Sequence, residues 1–187
     1  FIKSEGCTIK EKHMIFIWKK YLEKKNLPSI CSHAQLKQEL RNIFSFQEEG
    51  SIYLNITSLQ LPVVSTFQQF WDEYITIDES SENEFKLSEL LDLFLKQQKQ
   101  SMDEFTLLEL IRHFYPSITI EDDKFVLNIN CSLWDKQSDI ITALTEYKNS
   151  TEEDRNLYDA YQFYCDYFIK SNITSKKHFD KVAGPLL

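Results

Sequence analysis

The sequence predicts a mainly helical α+β protein with short β-hairpins, built from repeated units. Three observations carry this. Apolar residues recur at helical spacing in several segments. Hairpin signals follow two of the helical segments. Three Gly and four Pro in 187 residues are too few for a turn-rich β-sandwich or a glycine-lined phosphate loop. A hydrophobic content of 42% and an aromatic content of 14% suffice for a buried core.

Along the chain, HMIFIWKKYLEKK places Met14, Ile17, Trp18, Tyr21 and Leu22 on one helical face. SHAQLKQELRNIF gives a second helix, with Leu36, Leu40 and Ile43 inward and Ser32 as its N-cap. FSFQ-EEG-SIYLNI then turns at Glu48-Glu49-Gly50 between β-branched and aromatic flanks. A further helical stripe holds Phe67, Phe70, Trp71 and Tyr74. Adding 73 to the first stripe gives Leu87, Leu90, Leu91, Phe94 and Leu95. Leu54 and Ile56 become Leu127 and Ile129, with the Leu-Asn-Ile tripeptide kept, and the aromatic stripe becomes Ile140, Ala143, Leu144 and Tyr147. Between these, SMDEFTLLELIRHF matches the second helix at +71 through Leu107, Ile111 and Phe114, and the next hairpin turns at Glu121-Asp122-Asp123. One offset that reproduces three apolar patterns in order points to internal duplication.

Helix, helix, β-hairpin, helix is the order of the winged-helix variant of helix-turn-helix. The predicted organisation is therefore tandem winged-helix-like units at 1–78 and 79–150, with a partial third at 151–187. In the third, Leu157, Ala160, Tyr161, Tyr164 and Cys165 match the first stripe at +143, and Phe179 and Val182 follow the cap candidate Ser175. The Ser- and acid-rich stretches ITIDESSENEF (75–85) and KNSTEEDRN (148–156) are the expected connectors. The chain stops where a third hairpin would begin, so a fragment of a longer protein is expected.

Charge is unevenly placed. The total is −8, yet residues 1–60 carry nine Lys/Arg against six Asp/Glu, and residues 61–150 carry seven against seventeen. On the second helix of the first unit the outward positions are His33, Gln35, Lys37, Gln38, Arg41 and Asn42, the donors a recognition helix would offer to DNA. Lys19, Lys20, Lys24 and Lys25 could track phosphates, and Lys176, Lys177, His178 and Lys181 repeat the pattern in the third unit. Asp103, Glu104 and Glu109 of the second unit would repel DNA and suit a protein partner. Nucleic acid, DNA before RNA, is thus an expected partner, beside other subunits or replication proteins. The alternative is a pure protein-interaction scaffold, since helix-turn-helix geometry alone does not imply DNA binding.

Other chemistries find little support. Phe67, Phe70, Trp71 and Tyr74 could stack bases, and Trp71 or Trp134 could recognise a modified RNA end, but the helical spacing of the first set suits core packing. Cys7, His13, Cys31 and His33 lack the tight spacing of zinc sites. Phosphate-loop, metalloprotease, serine-hydrolase and kinase motifs are all missing, so neither catalysis nor a cofactor is expected. Four scattered Cys without close pairs and a polar N-terminus suggest an intracellular setting with free thiols. No apolar run approaches the roughly 20 residues of a membrane span.

The third unit carries a resemblance. LYDAYQFYCDYF followed by SKKHF, through Leu157, Tyr158, Ala160, Tyr161, Tyr164, Cys165, Ser175, Lys176 and Phe179, fits the form L-Y-x-A-Y-x-x-[YW]-C leading to S-K-x-x-F. Over about forty residues this resembles the C-terminal accessory region of poxvirus-type superfamily-3 primase-helicases of large DNA viruses. The resemblance implies an accessory winged-helix region of a viral replication protein that engages DNA or partner factors. ATP hydrolysis and primer synthesis would then lie elsewhere in that protein, because no Walker motif or primase carboxylate set is present here.

Overall fold

The computed structural model describes residues 1–79, 83–150, 156–169 and 172–187. Along these the chain forms β1 (Ile2–Lys10), α1 (Glu11–Lys24), α2 (His33–Ile43), β2 (Phe46–Gln47), β3 (Ile52–Thr57), α3 (Leu61–Tyr74), β4 (Ile75–Ile77) and β5 (Glu84–Lys86). There follow α4 (Leu87–Gln97), α5 (Glu104–Phe114), β6 (Ile120–Glu121), β7 (Phe125–Leu127), β8 (Ile129–Cys131), α6 (Lys136–Ser150), α7 (Leu157–Tyr167) and α8 (Lys176–Ala183). The fold is mixed α+β. None of the helices among the described residues is long and apolar enough to cross a membrane.

Two three-stranded antiparallel sheets share one strand order, β1-β3-β2 and β5-β7-β6, while β4 and β8 form a two-stranded ribbon. In each three-stranded sheet two helices separate the first strand from the second in sequence. The Leu-Asn-Ile tripeptides occupy matching places. Asn55 in β3 and Asn128 between β7 and β8 both adopt left-handed backbone, at φ 55° and 59°. Asparagine tolerates that conformation where β-branched neighbours do not. Opposite Asn55, β1 is bulged between Lys3 and Thr8, and Gly6 at φ 76° donates its N–H to Asn55 Oδ1 at 3.0 Å. A side chain at Gly6 would be strained by that φ.

The turns sit where the sequence put them. Lys124 N donates to Glu121 O at 3.0 Å across Asp122 and Asp123, both left-handed, as a tight two-residue hairpin requires. Ser51 N closes the first hairpin onto Glu48 O at 3.0 Å. Ser32 caps α2 by accepting from Gln35 N, while the Gln35 side chain accepts from Ser32 N, completing a capping box. Ser32→Ala is therefore expected to lower stability by about 1 kcal/mol, measurable as a small fall in Tm.

Three strands escaped the sequence pattern. β1 buries only Ile9, so its polar run carries no alternation. β4 falls inside the expected connector 75–85 and β5 begins within it; residues 80–82 of that connector lie outside the described residues, as do 151–155 of the connector 148–156. Three expected inward residues are also corrected, among them Leu95, 41% exposed near the end of α4. Ile43 is 68% exposed because α2 ends there and Phe44 turns to extended backbone. Tyr21 is 46% exposed, and α1 buries Ile15 and Phe16 beside its predicted stripe.

Contacts gather the chain into two compact units, which are a partition by packing and distinct from the sequence repeat. The first comprises 1–69 with 98–116, so α5 closes it. Its core joins Ile9, Met14, Leu36, Leu40, Tyr53 and Ile56. On another face of α1, Phe16 meets Phe114 at 5.9 Å between ring centroids, and Phe67 meets the same ring at 6.4 Å. The second unit comprises 70–97 with 117–187. There α6, α7 and α8 bury Ile140, Leu144, Tyr147, Tyr164 and Phe179 together, and Phe70 packs edge-on against Phe94 at 5.4 Å.

Candidate functional site

In the first unit the predicted recognition helix α2 starts beside α1, and its cations converge on one acid. Glu11 opens α1, where a carboxylate suits the helix N-terminus, and is buried. Lys37 Nζ lies 2.9 Å from Glu11 Oε2, and Arg41 Nε donates to Oε1 at 3.1 Å. The Tyr53 hydroxyl donates to the same Oε1 at 3.3 Å. Arg41 also reaches Glu48 at 3.4 Å and lies 4.0 Å over the Phe46 ring. Burial pushes the Glu11 carboxyl up, but hydrogen bonds from Lys37 and Arg41 outweigh it and hold it below the ordinary glutamate range. Burial, followed by the Glu11 charge, pushes the Tyr53 phenol up to about 12. This is a structural clamp joining α1, α2 and the hairpin.

The other predicted contacts divide. His33, Gln38 and Asn42 are exposed, whereas the Gln35 side chain serves the capping box. Lys19 lies 3.8 Å and Lys20 2.7 Å from Glu23, and Lys20 also pairs with Glu109. Lys24 and Lys25 are exposed. In the second unit Lys176 pairs with Asp180 at 2.7 Å, Lys177 with Glu121 at 2.9 Å, and Lys181 is exposed. His178, expected outward, is 1% exposed and belongs to the interior face of α8.

The sequence reading missed a buried ion pair in the second unit. Lys136, 3% exposed, places Nζ 2.7 Å from Glu89 Oε2 and donates to Glu84 O at 2.8 Å. The ammonium lies 4.4 Å from the Phe85 ring centroid and 5.1 Å from that of Trp134. Burial drives its pKa down against the charge of Glu89. Glu89 is itself held by Lys86 N at 2.8 Å and Ser175 N at 3.1 Å. One signal could have found this region: Glu11 plus 73 is Glu84, and both acids are buried.

A cavity of about 670 Å³ beside Lys136 is lined by Tyr74, Asn83, Phe85, Asn130 and Trp134. Trp134 donates to Asp139 at 2.8 Å and meets Phe85 edge-on at 75°, so these two rings do not form a stacking slot. Phe67, Phe70 and Trp71 are buried. His13 is buried against Gln68, with Nε2 and Oε1 2.5 Å apart. Among the described residues no group of three or more His, Cys, Asp or Glu could hold a metal ion, and all four Cys are free thiols.

A second cleft, of about 810 Å³, opens in the first unit between α1, the loop 27–31 and the start of α2. Trp18, Leu22 and Leu36 line its floor, and Tyr21, Leu27 and Ile30 stand at its edge. No family model, curated protein or solved structure matches this chain.

Proposed function

We propose that this chain is a non-catalytic binding module of a larger protein, built from tandem winged-helix-like units, and that its principal partner is protein. The shared strand order of the two sheets, each with two helices before its hairpin, supports the winged-helix reading. One observation carries the choice of partner. The two strongest cations of the would-be recognition helix, Lys37 and Arg41, are bound to Glu11, and both hairpin tips, Glu48-Glu49 and Glu121-Asp122-Asp123, are acidic. A hairpin with that charge repels phosphate. The resemblance of residues 157–179 supports a viral primase-helicase as the parent, with this region as its accessory part.

Nucleic acid is the second reading, favoured by the six Lys/Arg against two Glu between Lys19 and Asn42. Fluorescence anisotropy with a short DNA duplex, at about 50 and 200 mM salt, separates the two. Under protein docking, duplex binding is weak, and the double substitution Lys24→Glu/Lys25→Glu, at exposed positions outside the Glu11 clamp, leaves it unchanged. Tight binding that falls steeply with salt and is abolished by the charge reversal would transfer the function to nucleic acid.

A further inference from the structure

The first-unit cleft carries more apolar exposure than any structural duty demands. Tyr21, Leu27 and Ile30 are 46%, 50% and 87% exposed, all within ten residues and all around one opening. The edge is built rather than frayed. Leu27 N donates to Leu22 O at 2.9 Å across the left-handed Asn26, and Pro28 stiffens the loop that follows. Trp18 stacks on Tyr21 at 5.8 Å and 27°, so the floor aromatic supports the edge aromatic. Its walls are helices and a loop, with no strand edge among the lining residues, so strand addition has no template.

The charge around this opening selects among occupants. Whereas the whole chain carries −8, the stretch Lys19–His33 around the cleft is cationic, with Lys19, Lys20, Lys24 and Lys25 against Glu23 alone. Glu23, the acid lining the cleft, is already matched by Lys19 and Lys20. Lys24 and Lys25 stand exposed at the end of α1, and His33 lines the cleft from the start of α2. We infer that the cleft between α1 and α2 receives an acidic amphipathic helix of a partner protein, with its apolar face on Trp18, Leu22, Leu27 and Ile30 and its Asp/Glu toward the surrounding lysines. Apolar anchors at i, i+3, i+4 and i+7 match a groove between helices, and the cationic surround attracts acidic helices while repelling basic ones. This rests on the protein-docking reading above and names the partner's chemistry.

A random 16-residue peptide library displayed on phage tests it without presupposing a sequence. Selection uses the whole chain, and the selected peptides are then measured against Leu27→Asp/Ile30→Asp. Both positions are at least half exposed, so circular dichroism and Tm should match the wild type. Lys19→Glu, also exposed, is a second variant that leaves the apolar residues intact. The expected result is enrichment of peptides with helical apolar spacing and intervening Asp/Glu. Their affinity should fall about tenfold or more on Ile30→Asp, and several-fold on Lys19→Glu.

Enriched peptides that are basic, or that bind the cleft variants as well as the wild type, overturn the inference but leave protein docking elsewhere intact. No enrichment overturns both. Light scattering that shows a dimer abolished by Ile30→Asp would mean that a second copy covers the cleft, which also overturns it.

Discussion

Lys136→Met should destabilise the protein by about 3–5 kcal/mol, although methionine fills nearly the same volume. The cost comes from what is left behind. Glu89 is buried and would lose the ammonium that lies 2.7 Å away. An uncompensated interior carboxylate is penalised by that order of energy. Adding Glu89→Gln should recover part of the loss: it removes the charge, but Lys86 N and Ser175 N donate to different carboxylate oxygens and the single amide oxygen can accept from only one of them. Urea denaturation of the two single variants and the double variant gives the coupling directly. A Lys136→Met variant within 1 kcal/mol of wild type would show that solvent reaches the pair.

Acid should destabilise the fold before carboxylates titrate, and His178 contributes most, beside His13 and His113, whose burial also pushes their pKa down. Its ring is buried, and neither nitrogen has a hydrogen-bond partner among the described residues. Burial, followed by the charges of Lys136 and Lys181, pushes its pKa from 6.5 down to about 4. The folded state thus binds fewer protons than the unfolded chain between those values. Its contribution is complete above pH 6.5 and is lost as pH falls toward 4, about 3 kcal/mol in all. About 2 kcal/mol of that should be gone by pH 5. Glu11 acts in a lower window: its depressed carboxyl stabilises above the unfolded value of 4.5, and that support disappears as pH falls through its folded value. His178→Leu should flatten the stability profile between pH 7 and 5. Equal slopes for variant and wild type would remove His178 from the account.

What the sequence revealed follows from how each feature is encoded. Helices that bury a periodic face were legible, as with Leu107, Ile111 and Phe114, and so were turns that need special backbone, as at Asp122 and Asp123. The caps Ser32 and Ser175 were legible because a hydroxyl before an apolar period has a local physical meaning. β1 and β5 were not, because their pairing is with β3 and β7, far along the chain, and they bury too few apolar residues to print an alternation. For the candidate site the limit was similar. Lys37 and Arg41 were read correctly as cations on one helix, but nothing local announced that Glu11 would gather them. Lys136 looked like any surface lysine, since its burial beside Glu89 and Phe85 is decided by residues about fifty positions away.

The interleaving of the two compact units has a consequence during synthesis. The first unit is closed by residues 98–116, which leave the ribosome only after residues 70–97 of the other unit have emerged. At roughly 5–20 residues per second, Phe16 and Phe67 wait seconds for Phe114 to arrive. A nascent chain of this protein therefore presents sticky aromatic surface for longer than a simple beads-on-a-string arrangement would, and a truncation after residue 78 would make that exposure permanent.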